Sequence, residues 1–188
     1  VKFPRSTVAE FARKAGEEGL MVGSEGNISV KVKDRIYITP SGVFKKELES
    51  QDIVVLDLEG NIIDGRNPSS EFRMHLAVYK TREDVSAIIH AHPPYTLALD
   101  LTGEDFNKNY LAEIPLILGK VSRVPYREPG TEDLAKEVAE ASQEADVLVL
   151  ERHGAVTLGK NLSQALNLML VLEKVSKVIL LAKSCKAL

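Results

Sequence analysis

Four histidines hold most of the chemistry this sequence could perform. Two of them form His90-Ala91-His92, directly after the apolar run Ala87-Ile88-Ile89. Residues two apart on a strand point to one face, so both imidazoles can take positions around one ion. Alone, such a pair fits two ordinary histidines at a strand end equally well. His153 changes the weighting. It follows the apolar run Val147-Leu148-Val149-Leu150 and precedes Gly154, so it too stands at a strand end. Neutral imidazole is the commonest metal ligand. Three histidines at two strand ends suit an open site of the catalytic kind. The sole cysteine, Cys185, is remote in sequence, which argues against a closed structural zinc site. His75 lies mid-helix on an apolar face and reads as a satisfied core histidine or a support for a ligand.

Ser69-Ser70-Glu71 adds hydroxyls and a carboxylate at a predicted helix start. Free N–H groups and the positive end of the dipole favour an anion there. Plain N-capping explains the same tripeptide. Gly26-Asn27 and Ser41-Gly42 have the same two readings: ordinary turns, or backbone donors closing around an anion. Glu71 fits three roles, as a fourth metal ligand, a general base or a helix-start carboxylate. There is no Walker lysine motif, no G-x-G-x-x-G and no H-E-x-x-H, which removes the common nucleotide-binding and metalloprotease readings.

The elements that must position these residues can be read from periodicity. Thr7 and Glu10 have capping-box spacing, which predicts a helix over 7–18. Ile28, Val30 and Val32 alternate with polar residues, as do Ile36 and Ile38, and predict a hairpin. Ile53 to Leu58 reads as a strand turned back at Glu59-Gly60-Asn61. A helix is expected from Ser69 to about Lys80, a buried strand over 87–90, and a helix from Pro93-Pro94 to about Leu101. Further strands are expected at 121–125, 147–150 and 156–158. Further helices are expected from Thr131 to about Glu144 and from Ser163 onward. Strands alternating with helices define an α/β or α+β class, and the hairpins imply a mixed sheet.

The 188 residues are 44 % apolar and 27 % charged, with a formal charge of −3. That length fits one domain, here 1–188. No block of like charge offers a basic stripe, which argues against nucleic acid as the partner. Charged residues near the start interrupt any signal-like apolar run. Glu173, Lys174 and Lys177 break the longest greasy stretch, so no membrane span is expected. A free thiol and these absences are those of a cytoplasmic chain.

Taken in order, Gly26-Asn27-Ile28-Ser29, Ile38-Thr39-Pro40-Ser41-Gly42, Pro68-Ser69-Ser70-Glu71, His90-Ala91-His92 and His153-Gly154 resemble the class II aldolase / adducin head family. Each motif is weak, the ordered set is strong, and the likeness runs from about residue 5 to residue 182. The resemblance implies a three-layer α/β/α fold with a central mixed, largely antiparallel sheet. It implies a homotetramer with active sites at subunit interfaces. It implies one divalent ion per subunit on His90, His92, His153 and Glu71, with zinc ahead of manganese or cobalt. Phosphate would be held by Gly26, Asn27, Ser41, Gly42, Ser69 and Ser70.

The activity implied is cleavage of a ketose 1-phosphate, such as L-fuculose 1-phosphate, to dihydroxyacetone phosphate and a small aldehyde such as L-lactaldehyde. The route would be a metal-stabilised enediolate, with Glu71 moving the proton. Family aldolases take a second acid/base, a tyrosine, from a neighbouring subunit. The segment 107–119 does not align cleanly; Tyr110 is the candidate, with Glu113 behind it. By the same resemblance, the tail that covers the site in some relatives is expected to be short or missing here. Two alternative readings are an L-ribulose-5-phosphate 4-epimerase, which uses the same retro-aldol step but tends to carry Asp where this chain has Glu71, and a methylthioribulose-1-phosphate dehydratase, which keeps the metal site and eliminates water. A non-enzymatic adducin-like interaction module keeps the fold but need not keep the ligands, which are all present here.

Overall fold

The computed structural model describes residues 2–186. Eight strands form a single sheet in the order β4-β3-β2-β1-β5-β8-β7-β6. They are β1 (Asn27–Val32), β2 (Arg35–Ile38), β3 (Val54–Asp57), β4 (Ile62–Asp64), β5 (Ala87–Ala91), β6 (Val121–Val124), β7 (Val147–Leu150) and β8 (Gly154–Gly159). Only β6 and β7 pair in parallel; the other neighbours are antiparallel. The mixed, largely antiparallel sheet expected from the sequence is therefore present.

Alternation along each strand divides the core into two layers. Ile28, Val30, Ala87, Ile89, Val147, Val149 and Ala155 face α1 (Pro4–Glu17), α3 (Pro94–Leu101) and α5 (Leu162–Ser184). Ile36, Ile38, Ile88, Leu148, Leu150, Val156 and Leu158 face α2 (Phe72–Thr81) and α4 (Glu132–Ser142). The result is helix on sheet on helix. The central strands are buried on both sides, which explains why β5 and β7 read as continuous apolar runs. No helix among the described residues is long and apolar enough to cross a membrane.

Four boundaries differ from expectation. Helix α1 starts at Pro4, and the Thr7 hydroxyl bonds back to the Phe3 carbonyl at 2.9 Å instead of capping. A proline in the first turn has set the start, because its missing N–H costs nothing there. Helix α2 starts at Phe72; Ser69 to Glu71 form the turn before it. The last helix is capped one turn-residue earlier than expected, by Asn161, whose side chain accepts from Gln164 N at 2.9 Å. Strand β8 begins at Gly154, in a Gly-Ala pair without β propensity. The predicted Thr131 cap is present and accepts from Leu134 N at 3.2 Å.

Leu172 of α5 is fully buried in the α1/α3/α5 layer. Leu172→Ala is expected to lower the unfolding free energy by about 2–5 kcal/mol in urea titrations.

Candidate metal centre

Strand pairing brings the ligands together. His90 on β5 lies beside Asn27 of β1 and opposite Val156 of β8. His92 follows two residues on. His153 arrives from the β7–β8 turn, where its N–H donates to Leu150 O at 3.0 Å. Glu71 enters from the start of α2. The ring centroids of the three histidines are 4.8–5.3 Å apart. Nε2 of His90 is 3.0 Å from Glu71 Oε2, and Nε2 of His153 is 3.1 Å from Glu71 Oε1. Nε2 of His92 is 3.2 Å from Nε2 of His90. One ligand atom from each of the four residues fits within 4.8 Å of all the others.

These groups fit a divalent cation. His90 Nδ1 donates to Ala155 O at 3.0 Å, which leaves Nε2 with its lone pair aimed at the centre. Imidazole lone pairs at such distances repel unless a cation or proton lies between them. Glu71 Oε1 and His153 Nδ1 are buried without a hydrogen-bond partner among the described residues. Such groups are rare in native proteins and mark a missing partner; an ion held by the carboxylate satisfies Oε1. Three neutral imidazoles and one carboxylate suit zinc, and accept manganese or cobalt.

The surrounding charge follows from burial and neighbours. Burial opposes ionisation of Glu71, yet the imidazoles of His90 and His153 hold its carboxyl well below the usual range. Burial disfavours charge on His90 as well, but the adjacent Glu71 raises its pKa. His92 is pushed down to about 4, by burial first and then by His90 and His153. Its Nδ1 faces Glu25 Oε2 at 3.3 Å.

His75 is fully buried and supports Glu71 indirectly. Its Nε2 donates to Asn27 Oδ1 at 2.5 Å, and Asn27 Nδ2 donates to Glu71 Oε2 at 3.1 Å. On the other side, Nδ1 accepts from Ser29 Oγ at 2.7 Å, and Tyr79 OH donates to that oxygen at 2.7 Å. The chain of bonds requires a neutral ring, and burial pushes His75 down to about 3.

The six residues of the expected phosphate cradle lie on three adjoining segments. Ser69 N donates to Thr39 O at 3.1 Å, Ser41 N to Asn67 O at 2.8 Å, and Pro40 bridges Pro68. Ile28 N donates to the Thr39 hydroxyl at 3.2 Å, which ties the Gly26-Asn27 segment to the same turn. Gly26 needs its positive φ of 73°, and a Cβ there would stand 2.8 Å from His90 O. Ser69 Oγ accepts from Glu71 N at 3.3 Å within the turn before α2, whose N-cap residue Glu71 has no side-chain cap bond, so the plain capping role expected of these serines is not filled. Ser41, Gly42 and Ser70 are exposed. Tyr110 is not among the four converging residues; its hydroxyl donates to Glu104 at 3.0 Å, and Glu113 pairs with Lys174.

Sequence reasoning missed three supporting residues. Lys45 is buried, and its Nζ donates to Ser24 O at 2.7 Å and Val43 O at 3.3 Å, stapling the Gly23–Glu25 loop to the Ser41–Val43 turn. Burial pushes it down to about 8, against the pull of Glu25. Glu25 and Asp100 were also passed over. A lone acid in the apolar helix Pro94–Leu101 was a signal for Asp100; nothing local marks the other two.

A mixed sheet between two helical layers, with three histidines and a glutamate gathered at one end of its central strands, defines a class of α/β proteins with a candidate metal site. The chain belongs to the class II aldolase and adducin N-terminal domain family, whose model matches residues 6–180. It is 39 % identical over 172 residues to an L-fuculose phosphate aldolase of Methanocaldococcus jannaschii, covering 92 % of this chain and 93 % of that one. It is 32 % identical over 183 residues to a 3-oxo-tetronate 4-phosphate decarboxylase of Haemophilus influenzae, covering 93 % and 85 %. A solved L-fuculose 1-phosphate aldolase superposes with a TM-score of 0.90 at 35 % identity, covering 96 % of this chain and 86 % of that one.

Two outcomes test this geometry. A Cβ on Gly154 would stand 2.4 Å from Ala91 O and 2.9 Å from His92 Cδ2. Gly154→Ala is therefore expected to separate β5 from β8 and weaken divalent-metal binding at least about tenfold in chelator competition. The second outcome concerns pH. The fold favours neutral His75, with a pKa of about 3 against 6.5 for the free group. Its contribution is complete above pH 6.5 and is lost as pH falls from there towards 3, because the unfolded chain takes up the proton first. Urea titrations of metal-free protein should show this decline, and His75→Gln should flatten it.

Proposed function

We propose that the chain is a metal-dependent aldolase that cleaves a ketose 1-phosphate, such as L-fuculose 1-phosphate, to dihydroxyacetone phosphate and a small aldehyde such as L-lactaldehyde. The observation that carries this reading is the meeting of three Nε2 atoms with the Glu71 carboxylate, beside three segments suited to an anion. The relative at 39 % identity supports the substrate class. Held by His90, His92, His153 and Glu71, a zinc ion (or manganese or cobalt) supplies Lewis acidity for the charge left on the ketose oxygens as the C–C bond breaks.

The remaining work falls to side chains and backbone. Gly26, Asn27, Ser41, Gly42, Ser69 and Ser70 hold the phosphate away from the breaking bond and fix the substrate's orientation. Once displaced from the ion by substrate, the Glu71 carboxylate removes the proton from the carbon beside the ketone in the condensing direction; in cleavage it first takes up a proton from water and delivers it to that carbon. Its pKa, held low by His90 and His153, makes it a carboxylate at rest. Tyr110, from a neighbouring subunit, exchanges a proton with the aldehyde oxygen, with Glu113 the second candidate. This requires the homotetramer with sites at subunit interfaces. Exposed Leu101, Leu116, Ile117 and Leu181 offer apolar surface for that assembly. The chain works as one domain, in the cytoplasm.

One observation favours a second reading. The decarboxylase relative acts on a 3-oxo acid phosphate, and loss of carbon dioxide leaves the same kind of charge beside a carbonyl. The test is a coupled assay for dihydroxyacetone phosphate across a panel of ketose phosphates, with and without chelator, and with 3-oxo-tetronate 4-phosphate as one member. Chelator-sensitive release from a ketose 1-phosphate is expected; turnover of the 3-oxo acid alone would replace the aldolase reading. His92→Ala should lose both bound metal and cleavage. Glu71→Gln should fold and retain metal while losing at least about 99 % of turnover, the usual scale for a general acid–base group.

A further inference from the structure

Helix α3 connects the two turns that carry the candidate ligands. It begins two residues after His92, and its second turn reaches the segment that ends in His153. Its first turn is fixed from α5: the Glu173 carboxylate accepts from Tyr95 N at 2.9 Å, Thr96 N at 2.9 Å and Thr96 Oγ1 at 2.8 Å. A carboxylate is favoured there by the helix dipole. Thr96 Oγ1 is also 3.2 Å from Ser176 Oγ.

At the other end stands Asp100, 1 % exposed in an otherwise apolar helix. Both of its oxygens are used. Oδ2 accepts from Arg152 N at 2.9 Å, and Oδ1 accepts from Arg123 Nε at 2.7 Å. Arg152 precedes His153 and adopts φ 55°, a left-handed conformation that side chains other than glycine disfavour. Its guanidinium lies over the Tyr126 ring at 4.5 Å. A buried carboxylate 52 residues away in sequence thus holds the strained residue next to His153.

We propose that Asp100 is a positioning residue for the metal centre: it locks the left-handed Arg152 turn, and through α3 fixes the position of His153 relative to His92. The proposal rests on the reading that His90, His92, His153 and Glu71 bind a divalent ion. It predicts that Asp100 acts on metal affinity and ligand geometry without touching metal or substrate.

Cobalt(II) is the probe, titrated into chelator-stripped protein against a competing chelator while its visible bands are recorded. Asp100→Ala is expected to weaken cobalt binding by about 10–100-fold, as loss of ligand-orienting contacts does elsewhere, and to change the bands. Adding Arg152→Gly should restore much of the affinity, because glycine takes φ 55° without strain. A general loss of stability would not be rescued that way. If Asp100→Ala does not fold, Asp100→Glu carries the test: it keeps the charge and displaces the carboxylate by one methylene. Wild-type cobalt affinity and spectrum in a folded Asp100 variant would overturn the proposal. His153→Ala in the same titration separates the two ideas. If it leaves cobalt binding unchanged, the metal-centre reading fails. If it abolishes the signal while Asp100→Ala does not, only the role of Asp100 fails.

Discussion

The approach of β8 to β5 at Gly154 is the contact on which the centre depends. Ala91 pairs with Ala155 and His90 with Val156, so β8 starts where the histidine pair ends. Gly154 packs so closely that a Cβ would overlap the Ala91 carbonyl and crowd both imidazoles. This closeness lets the Ala155 carbonyl accept a hydrogen bond from His90 Nδ1 and turns Nε2 towards the centre. It also delivers His153 from the turn just before β8. Of the three imidazoles only His90 lies within a strand; His92 follows the end of β5 and His153 precedes β8, so the pairing of β5 with β8 brings the two flanking residues to it.

Around that contact the protein keeps its buried polar groups neutral or paired. Tyr79, Ser29, His75 and Asn27 form a line of hydrogen bonds that ends on Glu71. A charged His75 would break the donor–acceptor order of that line, and its burial keeps it neutral. The charge in the centre is therefore concentrated on Glu71, facing three imidazoles. A cation is the natural complement of this arrangement, because an anion enclosed without one carries a large desolvation cost. The same network restrains the Glu71 side chain, as the proposed proton transfer requires.

Much of this was legible in the sequence. Strands β1, β2, β5 and β7 were visible as alternating or continuous apolar runs, and the three histidines and Glu71 were readable by type and position. The strand order was not, since pairing β5 between β1 and β8 depends on contacts far apart in the chain. The start of α1 was misread because Thr7 and Glu10 match a capping pattern that Pro4 pre-empts. Asp100 and Lys45 were missed for a shared reason. Each acts through partners on other segments: Arg152 N for Asp100 and the Ser24 carbonyl for Lys45. An acid in an apolar helix marks Asp100 as unusual, but local periodicity names no partner for it, and nothing local marks Lys45.

The left-handed Arg152 shows how placement of the ligands is maintained. A non-glycine residue in that region costs about 1–3 kcal/mol, and glycine would remove the cost. Glycine would keep that conformation accessible without Asp100, at the loss of the guanidinium contact with Tyr126. Arginine instead restricts the turn, with its N–H on Asp100 and its guanidinium over Tyr126. The strain is tolerated because these contacts lie on rigid parts: Asp100 on a helix fixed at its start by Glu173, and His153 on a turn closed by its bond to Leu150. A candidate ligand held this way would already be in place for an ion, and little ordering would remain to be done at binding.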